Sequence, residues 1–414
     1  MLLKLHTPKQ AISGNLILPG SKSISNRILI IKALSGLDFT VQNLSDSDDT
    51  KHLKDAIDSY KLLSIIDVGH AGTDMRFLTA FLSLKKGDYE LTGSERLQQR
   101  PVKDLVDVLQ TLGADILYKN KVGYPPLLIS GKQLHGGKVE IKGNVSSQFI
   151  TALLLVAPYF TNGLQLTIIG ELVSRPYVDM TIELMKIFGA SVSWNNHQII
   201  VKPDPYSYAQ QTYAVESDWS AASYYYSMVA LSPTGTELGL SNLFQRSLQA
   251  DAACATIYKN FGVSTRYSEN EITITKIHSE NEAVFEFNFI ECPDIAQTLV
   301  CTCIALNTPF HITGLQTLKV KETDRIVALK KEAQKFGVDL ACTENSIHWK
   351  SQQKEATSKS ISISTYHDHR MAMSFASLIL MFDEIIIEDA KVVSKSYPLF
   401  WNHLKEIGIN HTEL

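Results

Sequence analysis

The stretch Thr181-Ile-Glu-Leu-Met-Lys-Ile-Phe-Gly189-Ala-Ser-Val-Ser-Trp194 joins a helix pattern to a strand pattern through a single glycine. Its apolar residues up to Phe188 recur at spacings of three and four, which predicts an amphipathic helix. Gly189 suits the left-handed C′ position at which many helices end. The alternating residues 191–194 then predict a strand, so the stretch forms one helix-to-strand step of a mixed fold.

The same order of helix, glycine and strand occurs along most of the chain. Five predicted helices end at glycines that stand 71 to 76 residues apart: Gly113, Gly189, Gly262, Gly337 and Gly408. Alternating strands are predicted after the first four glycines, at residues 115–118, 191–194, 264–267 and 339–342. This period is too long for a solenoid repeat and suits a β/α subdomain of about 70 residues.

A sixth copy of the pattern is weaker. The segment Thr50–Tyr60 has the helix pattern but lacks a terminal glycine. The predicted architecture is therefore α/β, with six mixed subdomains in two groups of three. A junction near residues 232–236 (Ser-Pro-Thr-Gly-Thr) divides the groups. An ordinary α/β protein with coincidental glycine endings is the alternative.

Composition excludes several classes of protein. The 414 residues suit two or three domains, and a net charge of −4 argues against nucleic acid as the main partner. Five cysteines without a CxxC pair suggest neither a disulfide framework nor a zinc site. The longest apolar run, residues 150–158, is too short to span a bilayer, and the first residues do not form a signal peptide pattern. We therefore expect a cytoplasmic protein.

The stretch Leu18-Pro-Gly-Ser-Lys-Ser-Ile-Ser-Asn-Arg27 predicts an anion site at a helix start. Gly20 permits a tight turn, and Ser21 or Ser23 can cap the following helix. Free backbone N–H groups beside Lys22 and Arg27 suit a phosphate or a carboxylate. The spacing is not that of a nucleotide P-loop.

Further polar clusters precede predicted helices. Most of them alone are ordinary capped helix starts or solvated turns. They are Gly72-Thr-Asp-Met-Arg76, Ser94–Pro101, Ser146-Ser-Gln148, Ser174–Asp179, Lys319–Arg325 and Tyr366–Arg370. His367 and His369 lack a nearby third ligand, so a metal site is not predicted. Asp46-Ser-Asp48-Asp49 lacks the later residues of a calcium loop and is interpreted as a helix cap.

Seven cations stand at such junctions although the protein is acidic overall: Lys22, Arg27, Arg100, Lys321, Arg325, Arg370 and Lys395. If they converge, they predict a substrate with more than one anionic group, because arginine binds carboxylate and phosphate through two donors. Asp294 and Glu322 could serve as base and acid.

The motifs LPGSKSISNR, SSQFITALL, VKETDR and DHRMAM, in this order, resemble those of the 5-enolpyruvylshikimate-3-phosphate synthases, and the likeness extends from Pro19 to Pro398. The resemblance implies a two-domain inside-out α/β (α+β) barrel, each domain built of three βαβαββ subdomains. Residues 1–18 and 235–414 would form a discontinuous domain and residues 19–234 an inserted one, with the active site between them.

The resemblance also implies a function: transfer of the enolpyruvyl group of phosphoenolpyruvate to the 5-hydroxyl of shikimate-3-phosphate in aromatic amino-acid biosynthesis. The residues that match the family's shikimate-3-phosphate site are Lys22, Ser23, Arg27, Ser146, Ser147, Gln148, Ser174, Tyr177, Asp294 and Lys321. Those that match its phosphoenolpyruvate site are Lys22, Gly72, Arg100, Gln148, Arg325, Arg370 and Lys395.

By the same resemblance, Asp294 accepts the proton of the 5-hydroxyl, Glu322 protonates the enolpyruvyl methylene, and Lys22 is a further acid or base. The reaction is an addition followed by an elimination that releases phosphate. No metal or organic cofactor is implied. Nucleic-acid and membrane partners are not expected, and we expect a monomer. Two lobes of like-signed side chains are expected to close on their anionic ligands.

Several positions depart from the family pattern: His70, Phe77, Ser217, Trp219, Thr317 and Lys319. Two alternatives stay open at this point. One is the related transferase that acts on UDP-N-acetylglucosamine, although Lys22 is followed by Ser23 rather than asparagine, and residues 92–100 contain no cysteine. The other is a non-catalytic anion-binding protein on the same scaffold, which would gain nothing from Asp294 and Glu322.

Overall fold

The structure is a computed structural model, and it describes residues 1–278, 284–350 and 360–414. The chain divides into two compact units. The discontinuous unit consists of Met1–Gly20 and Glu216–Leu414, and the inserted unit consists of Ser21–Val215.

The strands follow one another along the described chain. They are β1 Leu3–His6, β2 Gly14–Ile17, β3 Thr40–Gln42, β4 Ile65–Asp67, β5 Gly87–Thr92, β6 Asp115–Tyr118, β7 Leu127–Gly131, β8 Gly137–Lys142, β9 Leu164–Ile169, β10 Val192–Asn195, β11 Gln198–Val201, β12 Thr212–Ala214, β13 Glu237–Ser241, β14 Val263–Tyr267, β15 Glu271–Lys276, β16 Phe285–Asn288, β17 Phe310–Thr313, β18 Ala341–Cys342, β19 Ile347–Trp349, β20 Ser360–Ile363, β21 Glu384–Ile387 and β22 His411–Glu413.

The α-helices alternate with these strands. They are α1 Lys22–Ser35, α2 Asp48–Ser59, α3 Gly72–Leu84, α4 Glu95–Gln98, α5 Lys103–Thr111, α6 Ser147–Val156, α7 Arg175–Ile187, α8 Trp219–Ala230, α9 Cys254–Ile257, α10 Ala296–Ala305, α11 Arg325–Lys335, α12 His369–Ala376 and α13 Phe400–Glu406. Short 3₁₀ helices cover, among others, Ala250–Ala253, Pro293–Ile295 and Ala390–Lys395.

One sheet pattern recurs within the discontinuous unit. Its described residues form three four-stranded sheets, with the orders β2-β13-β15-β14, β16-β17-β19-β18 and β20-β21-β1-β22. In each of them the first pair is parallel and the next two pairs are antiparallel. The repeat predicted from the sequence is therefore a repeat of topology.

The inserted unit has the same pattern twice, in the orders β4-β5-β7-β6 and β8-β9-β11-β10. Its remaining sheet contains only the parallel pair β3 and β12 among the residues described. Helix α2 belongs to this part of the unit and covers most of the weaker sixth copy, residues 50–60. The missing glycine thus coincides with a copy that has two strands instead of four.

The helices of the discontinuous unit lie inside and its sheets lie outside. Helix α10 packs against both α8 and α12, and all three are buried along almost their whole length. Hydroxyl groups join them: Ser227 to Thr302 at 2.8 Å, Ser227 to Ser377 at 3.1 Å, and Thr298 to Ser374 at 3.2 Å. Equivalent positions on three successive repeats meet in this way, and the buried hydroxyls satisfy one another.

The inserted unit is built by the same rule. Helices α1, α3 and α6 pack against one another and are buried over most of their residues. Both units therefore have the inside-out α/β arrangement that the sequence resemblance implied.

The predicted helix ends are confirmed. All five glycines at the predicted ends adopt positive φ angles, between 69° and 104°. The strands predicted at 115–118 and 264–267 are β6 and β14, and that predicted at 191–194 is β10, shifted by one residue. The strand predicted at 339–342 is shorter, since β18 covers only its last two residues.

Two details differ from expectation. The helix expected before Gly262 is broken into 3₁₀ and α turns over Ala250–Phe261. The second change of unit lies between Val215 and Glu216 rather than at 234/235, and the first lies after Gly20 rather than after residue 18. The reason is that α8 packs against α10 and β15 of the discontinuous unit, so the turn at residues 232–236 is internal to that unit.

Candidate active site

Asp294 is the centre of a charged cluster in the discontinuous unit. It lies in the 3₁₀ turn that leads into α10. Its Oδ1 accepts from Lys321 Nζ at 3.4 Å and Arg325 Nη1 at 3.3 Å, and its Oδ2 accepts from Arg370 Nη2 at 3.0 Å. Burial alone would raise the pKa of Asp294, but Arg370, Lys321 and Arg325 together hold it below its ordinary value. The carboxylate is therefore ionised at neutral pH.

Arg325 is the most strongly compensated cation of this cluster. It begins α11, where Asp324 caps the helix by accepting from the backbone N–H groups of Ile326 and Val327. Its guanidinium is buried and donates to both oxygens of Asp368, at 2.7 and 3.3 Å, and to Glu322 at 3.0 Å. Burial would lower the pKa of Arg325, but Asp368, Glu322 and Asp294 raise it above its ordinary value.

Glu322 connects this arginine to Lys395. The Glu322 Oε1 accepts from Lys395 Nζ at 2.6 Å, while Oε2 accepts from Arg325 Nη2. Lys395 ends the 3₁₀ helix Ala390–Lys395, close to the C-terminal helix α13. Glu322 is thus shared between two cations of this cluster.

Arg370 stands in the first turn of α12, which Asp368 caps by accepting from the Arg370 N–H at 2.8 Å. Its side chain reaches the carboxylate of Asp294 and also donates to the Asp294 backbone oxygen at 3.2 Å. Ser220, at the start of α8, accepts a further hydrogen bond from Arg370 at 3.3 Å. The structure thus brings together all the discontinuous-unit residues that the sequence proposed: Asp294, Lys321, Glu322, Arg325, Arg370 and Lys395.

Lys22 and Arg27 are five residues apart on α1 of the inserted unit. Lys22 Nζ donates to Asp49 Oδ2 at 2.8 Å. Ser21 occupies the cap position, yet its side chain makes no cap hydrogen bond, which differs from the capping role expected for it.

Arg27 connects three helices from within the inserted unit. It donates to the backbone oxygens of Ser23 at 2.6 Å and Tyr177 at 3.1 Å. It also donates to the hydroxyls of Thr181 at 2.8 Å and Thr151 at 3.4 Å. Burial lowers the pKa of this guanidinium to about 10. Arg27 therefore fixes α1 against the helices that carry the neutral donors of the predicted site.

Those neutral donors stand at the starts of α6 and α7. Ser146 caps α6 by accepting from the Gln148 N–H at 3.4 Å, and the Gln148 amide donates to Thr73 Oγ1 at 2.9 Å. Ser174 occupies the N-cap position of α7 with a φ of 58°, and Tyr177 lies in the first turn of that helix. Ser147 is the first residue of α6. These groups can donate to an anion without adding charge.

Gly72 and Arg100 are in direct contact. A Cβ atom on Gly72 would overlap the Arg100 guanidinium, so a side chain at this position would displace that guanidinium. Arg76, one turn further along α3, donates to the Gly72 oxygen at 2.9 Å and to the Pro101 oxygen at 3.0 Å. Burial and the nearby Arg100 lower the pKa of Arg76. Two guanidinium groups next to each other favour binding of an anion.

Three of the departures from the family pattern make specific local contacts. His70 Nδ1 shares a hydrogen bond with Ser94 Oγ at 2.7 Å, and Phe77 is buried beneath the Arg27 guanidinium at 5.7 Å. In the discontinuous unit, the buried Trp219 donates to Glu216 Oε1 at 3.0 Å.

Sequence reasoning missed the acidic partners of the cations. Asp49 was assigned only to a helix cap, and Asp368 lay inside a quoted motif without a role, yet each binds a proposed site cation. Asp251 had no role at all. It lies in a 3₁₀ helix before α9 and accepts a hydrogen bond from Ser220. Among these three carboxylates, only Asp368 lay in a motif, DHRMAM, that could have indicated a role in the site.

The described residues contain neither a metal-binding group of side chains nor a membrane-spanning helix. Within residues 1–278, 284–350 and 360–414, no group of three or more His, Cys, Asp or Glu side chains could hold a metal ion. None of the helices in the same ranges is both long and apolar enough to cross a membrane.

Comparison with known proteins gives one consistent family. The sequence model described as EPSP synthase (3-phosphoshikimate 1-carboxyvinyltransferase) matches residues 6–64 and 58–404. A 3-phosphoshikimate 1-carboxyvinyltransferase of Bacteroides fragilis (strain YCH46) is 49% identical over 406 residues, which cover 98% of this chain and 97% of the relative. A protein of the same name from Haemophilus influenzae is 36% identical over 437 residues and covers 98% of each chain. An EPSP synthase structure from Acinetobacter baumannii has a TM-score of 0.78 at 22% identity over 100% of both chains, a likeness of fold.

Proposed function

The chain belongs to the EPSP synthase family, and from that premise we propose which of its residues perform the reaction. The enzyme transfers the enolpyruvyl group of phosphoenolpyruvate to the 5-hydroxyl of shikimate-3-phosphate. The products are 5-enolpyruvylshikimate-3-phosphate and phosphate, in the biosynthesis of aromatic amino acids through chorismate. The observation that carries the assignment is the cluster in which Arg325, Arg370 and Lys321 surround Asp294.

We propose that Asp294 accepts the proton of the 5-hydroxyl. Its three cationic neighbours keep its pKa low, which makes it a weak base. A bound anion that engages Arg370 would neutralise one of these cations and raise the pKa of Asp294. Substrate binding would in this way increase the basicity of the group that must take the proton.

Glu322 is proposed as the acid that protonates the methylene of phosphoenolpyruvate. Its contacts with Arg325 and Lys395 place it between two cations that match the family's phosphoenolpyruvate site. Lys22 is the further acid or base candidate, and its contact with Asp49 keeps its ammonium group oriented. Addition of the 5-hydroxyl oxygen to C2 and of a proton to the methylene carbon gives a tetrahedral intermediate. Loss of phosphate from C2 and of one proton from the resulting methyl group restores the double bond and gives the product.

The proposed binding residues divide by substrate. Arg100, Arg325, Arg370 and Lys395, with Gly72, would bind phosphoenolpyruvate. Lys22 and Gln148 would contact both substrates, and Ser23, Arg27, Ser146, Ser147, Ser174, Tyr177 and Lys321 would bind shikimate-3-phosphate. Fixed charges of this kind stabilise the carboxylate and phosphate oxygens throughout the reaction without the reorganisation that water would need.

We further infer a monomer located in the cytoplasm. Both substrates are multiply charged, and such ions do not cross a bilayer unaided, so the enzyme must meet them where they are made. Light scattering of the purified chain tests the first inference, and cell fractionation tests the second.

Phosphate release with both substrates tests the assignment. Asp294→Asn and Glu322→Gln should each lower kcat by about 10²–10⁴-fold, as expected for loss of a positioned acid or base. Glu388→Gln is the matched control, because Glu388 also accepts hydrogen bonds in the discontinuous unit, which among the described residues come from the hydroxyls of Ser362 and Ser364. Phosphate release with UDP-N-acetylglucosamine in place of shikimate-3-phosphate, or full activity of Asp294→Asn, would overturn the proposal.

A further inference from the structure

Asp251 is a buried carboxylate outside all the sequence motifs. Its side chain is 5% exposed and its Oδ2 accepts a hydrogen bond from Ser220 Oγ. Its Oδ1 is also buried and has no hydrogen-bond partner among the residues that the structure describes. A buried carboxylate is costly unless it is compensated, so this one requires an explanation.

Ser220 connects Asp251 to Arg370, which compensates the buried carboxylate. Arg370 Nη2 donates to Ser220 Oγ at 3.3 Å and to Asp294 Oδ2 at 3.0 Å. Asp251, Ser220 and Arg370 thus form a chain of hydrogen bonds that ends at Asp294. Arg370 stands between two buried carboxylates, one in direct contact and the other reached through a hydroxyl.

The groups that face Asp251 come from several elements. They are Asp294, Arg370 and Asp218, together with the thiols of Cys254 and Cys292. Burial first, and then Asp294, raise the pKa of Asp251 to about 7, whereas Arg370 and the Ser220 hydroxyl lower it. Asp251 therefore changes its protonation state near neutral pH. Asp294, the carboxylate at the other end of this chain of hydrogen bonds, stays ionised at that pH.

We propose that Asp251, through Ser220, is a positioning residue that fixes the Arg370 guanidinium independently of Asp294. The N–H groups of Arg370 can then donate to a substrate anion instead of to Asp294, while the contact with Ser220 holds the guanidinium in place. This inference rests on the proposed function, in which Arg370 binds phosphoenolpyruvate. It adds two residues, Asp251 and Ser220, to the machinery that sets the phosphoenolpyruvate affinity.

Steady-state kinetics of Asp251→Asn and Ser220→Ala test the inference. Each should raise KM for phosphoenolpyruvate by about tenfold, the effect of one lost hydrogen bond to a charged group. KM for shikimate-3-phosphate should stay within about twofold. The double variant should be no worse than either single one, because both act along the same chain of contacts. Ser220→Thr, which retains the hydroxyl, should restore the wild-type KM, and Glu388→Gln remains the control.

A pH profile separates positioning from a merely structural role. Below about pH 7 Asp251 becomes neutral, so kcat/KM for phosphoenolpyruvate should fall in the wild type relative to Asp251→Asn, which already lacks the charge. A wild-type-to-variant ratio that is constant across this range would overturn the inference. So would equal rises in KM for both substrates, or a Ser220→Thr variant as impaired as Ser220→Ala.

Arg370→Lys distinguishes this inference from the function on which it rests. If Arg370→Lys leaves KM for phosphoenolpyruvate unchanged, the proposed role of Arg370 is wrong and the inference fails with it. If Arg370→Lys raises KM while Asp251→Asn does not, only the inference fails.

Discussion

Single residues show how differently two arginines of this chain are compensated. Arg325 is buried against three carboxylates, which raise its pKa above the ordinary value. Arg76 is also buried, but it donates to two backbone oxygens, and within the described ranges it forms no ion pair. Its Nε has no hydrogen-bond partner among those residues, and burial and Arg100 lower its pKa. The Arg325 guanidinium is therefore compensated by carboxylates of its own unit. The second cluster, Arg76 and Arg100, gains more from a bound anion.

Gly72→Ala tests the second cluster at the scale of one methyl group. The added Cβ would overlap the Arg100 guanidinium, which must then move away from its present position. We expect KM for phosphoenolpyruvate to rise by about tenfold or more, because an anion contact by arginine is a strong, directional hydrogen bond. KM for shikimate-3-phosphate serves as the internal control and should change little. Equal losses for both substrates would refute the placement of Gly72.

The elements of the fold were largely predictable where they depend on nearby residues. The five glycine ends and the strands that follow them rest on local backbone geometry, and their positions were found from the sequence to within a few residues. The partners of the cations were not found, because Lys22 and Asp49 are 27 residues apart and Arg325 and Asp368 are 43 apart. Nothing local specifies such a pair. The boundary at residue 215 was missed for a similar reason, since it depends on the packing of α8.

Gly408 offers a clean test of what the helix-ending glycines contribute. Its φ is 98°, and an added Cβ would meet nothing within 4 Å, so only backbone strain opposes a side chain there. Gly408→Ala should lower the free energy of unfolding by about 1 kcal/mol, measured by urea denaturation. Gly408→Asn should cost less, because asparagine tolerates the left-handed region better. Gly189→Ala should cost more than Gly408→Ala, because its Cβ would also overlap Ser207. Equal losses at the two positions would contradict the overlap argument, and a Gly408→Asn variant as unstable as Gly408→Ala would contradict the strain argument.

The whole molecule is two cores on one chain, and the way in which one is inserted in the other suggests that they can be separated. The chain leaves the discontinuous unit after Gly20 and returns at Glu216. The two sides of the insertion point, residues 18–20 and 217–218, are held together within the discontinuous unit. Gly20 forms a β-bridge with Ser217, whose hydroxyl donates to the Leu18 backbone oxygen at 3.0 Å. The Asp218 N–H donates to the Pro19 oxygen at 2.9 Å. A unit with adjacent ends can tolerate removal of the segment between them.

We therefore expect residues 21–215, expressed alone, to unfold cooperatively in urea, since that segment has its own buried helices α1, α3 and α6. The discontinuous unit, with residue 20 joined to residue 216 by a short glycine linker, should also fold. Neither product should release phosphate, because the proposed substrate residues divide between the two units. A matched control, cut instead at the turn of residues 232–236, separates α8 from α10 and should fail to fold. If the cut at 234/235 gave the stable products and the cut at 215/216 did not, the division of the chain into these two units would be wrong.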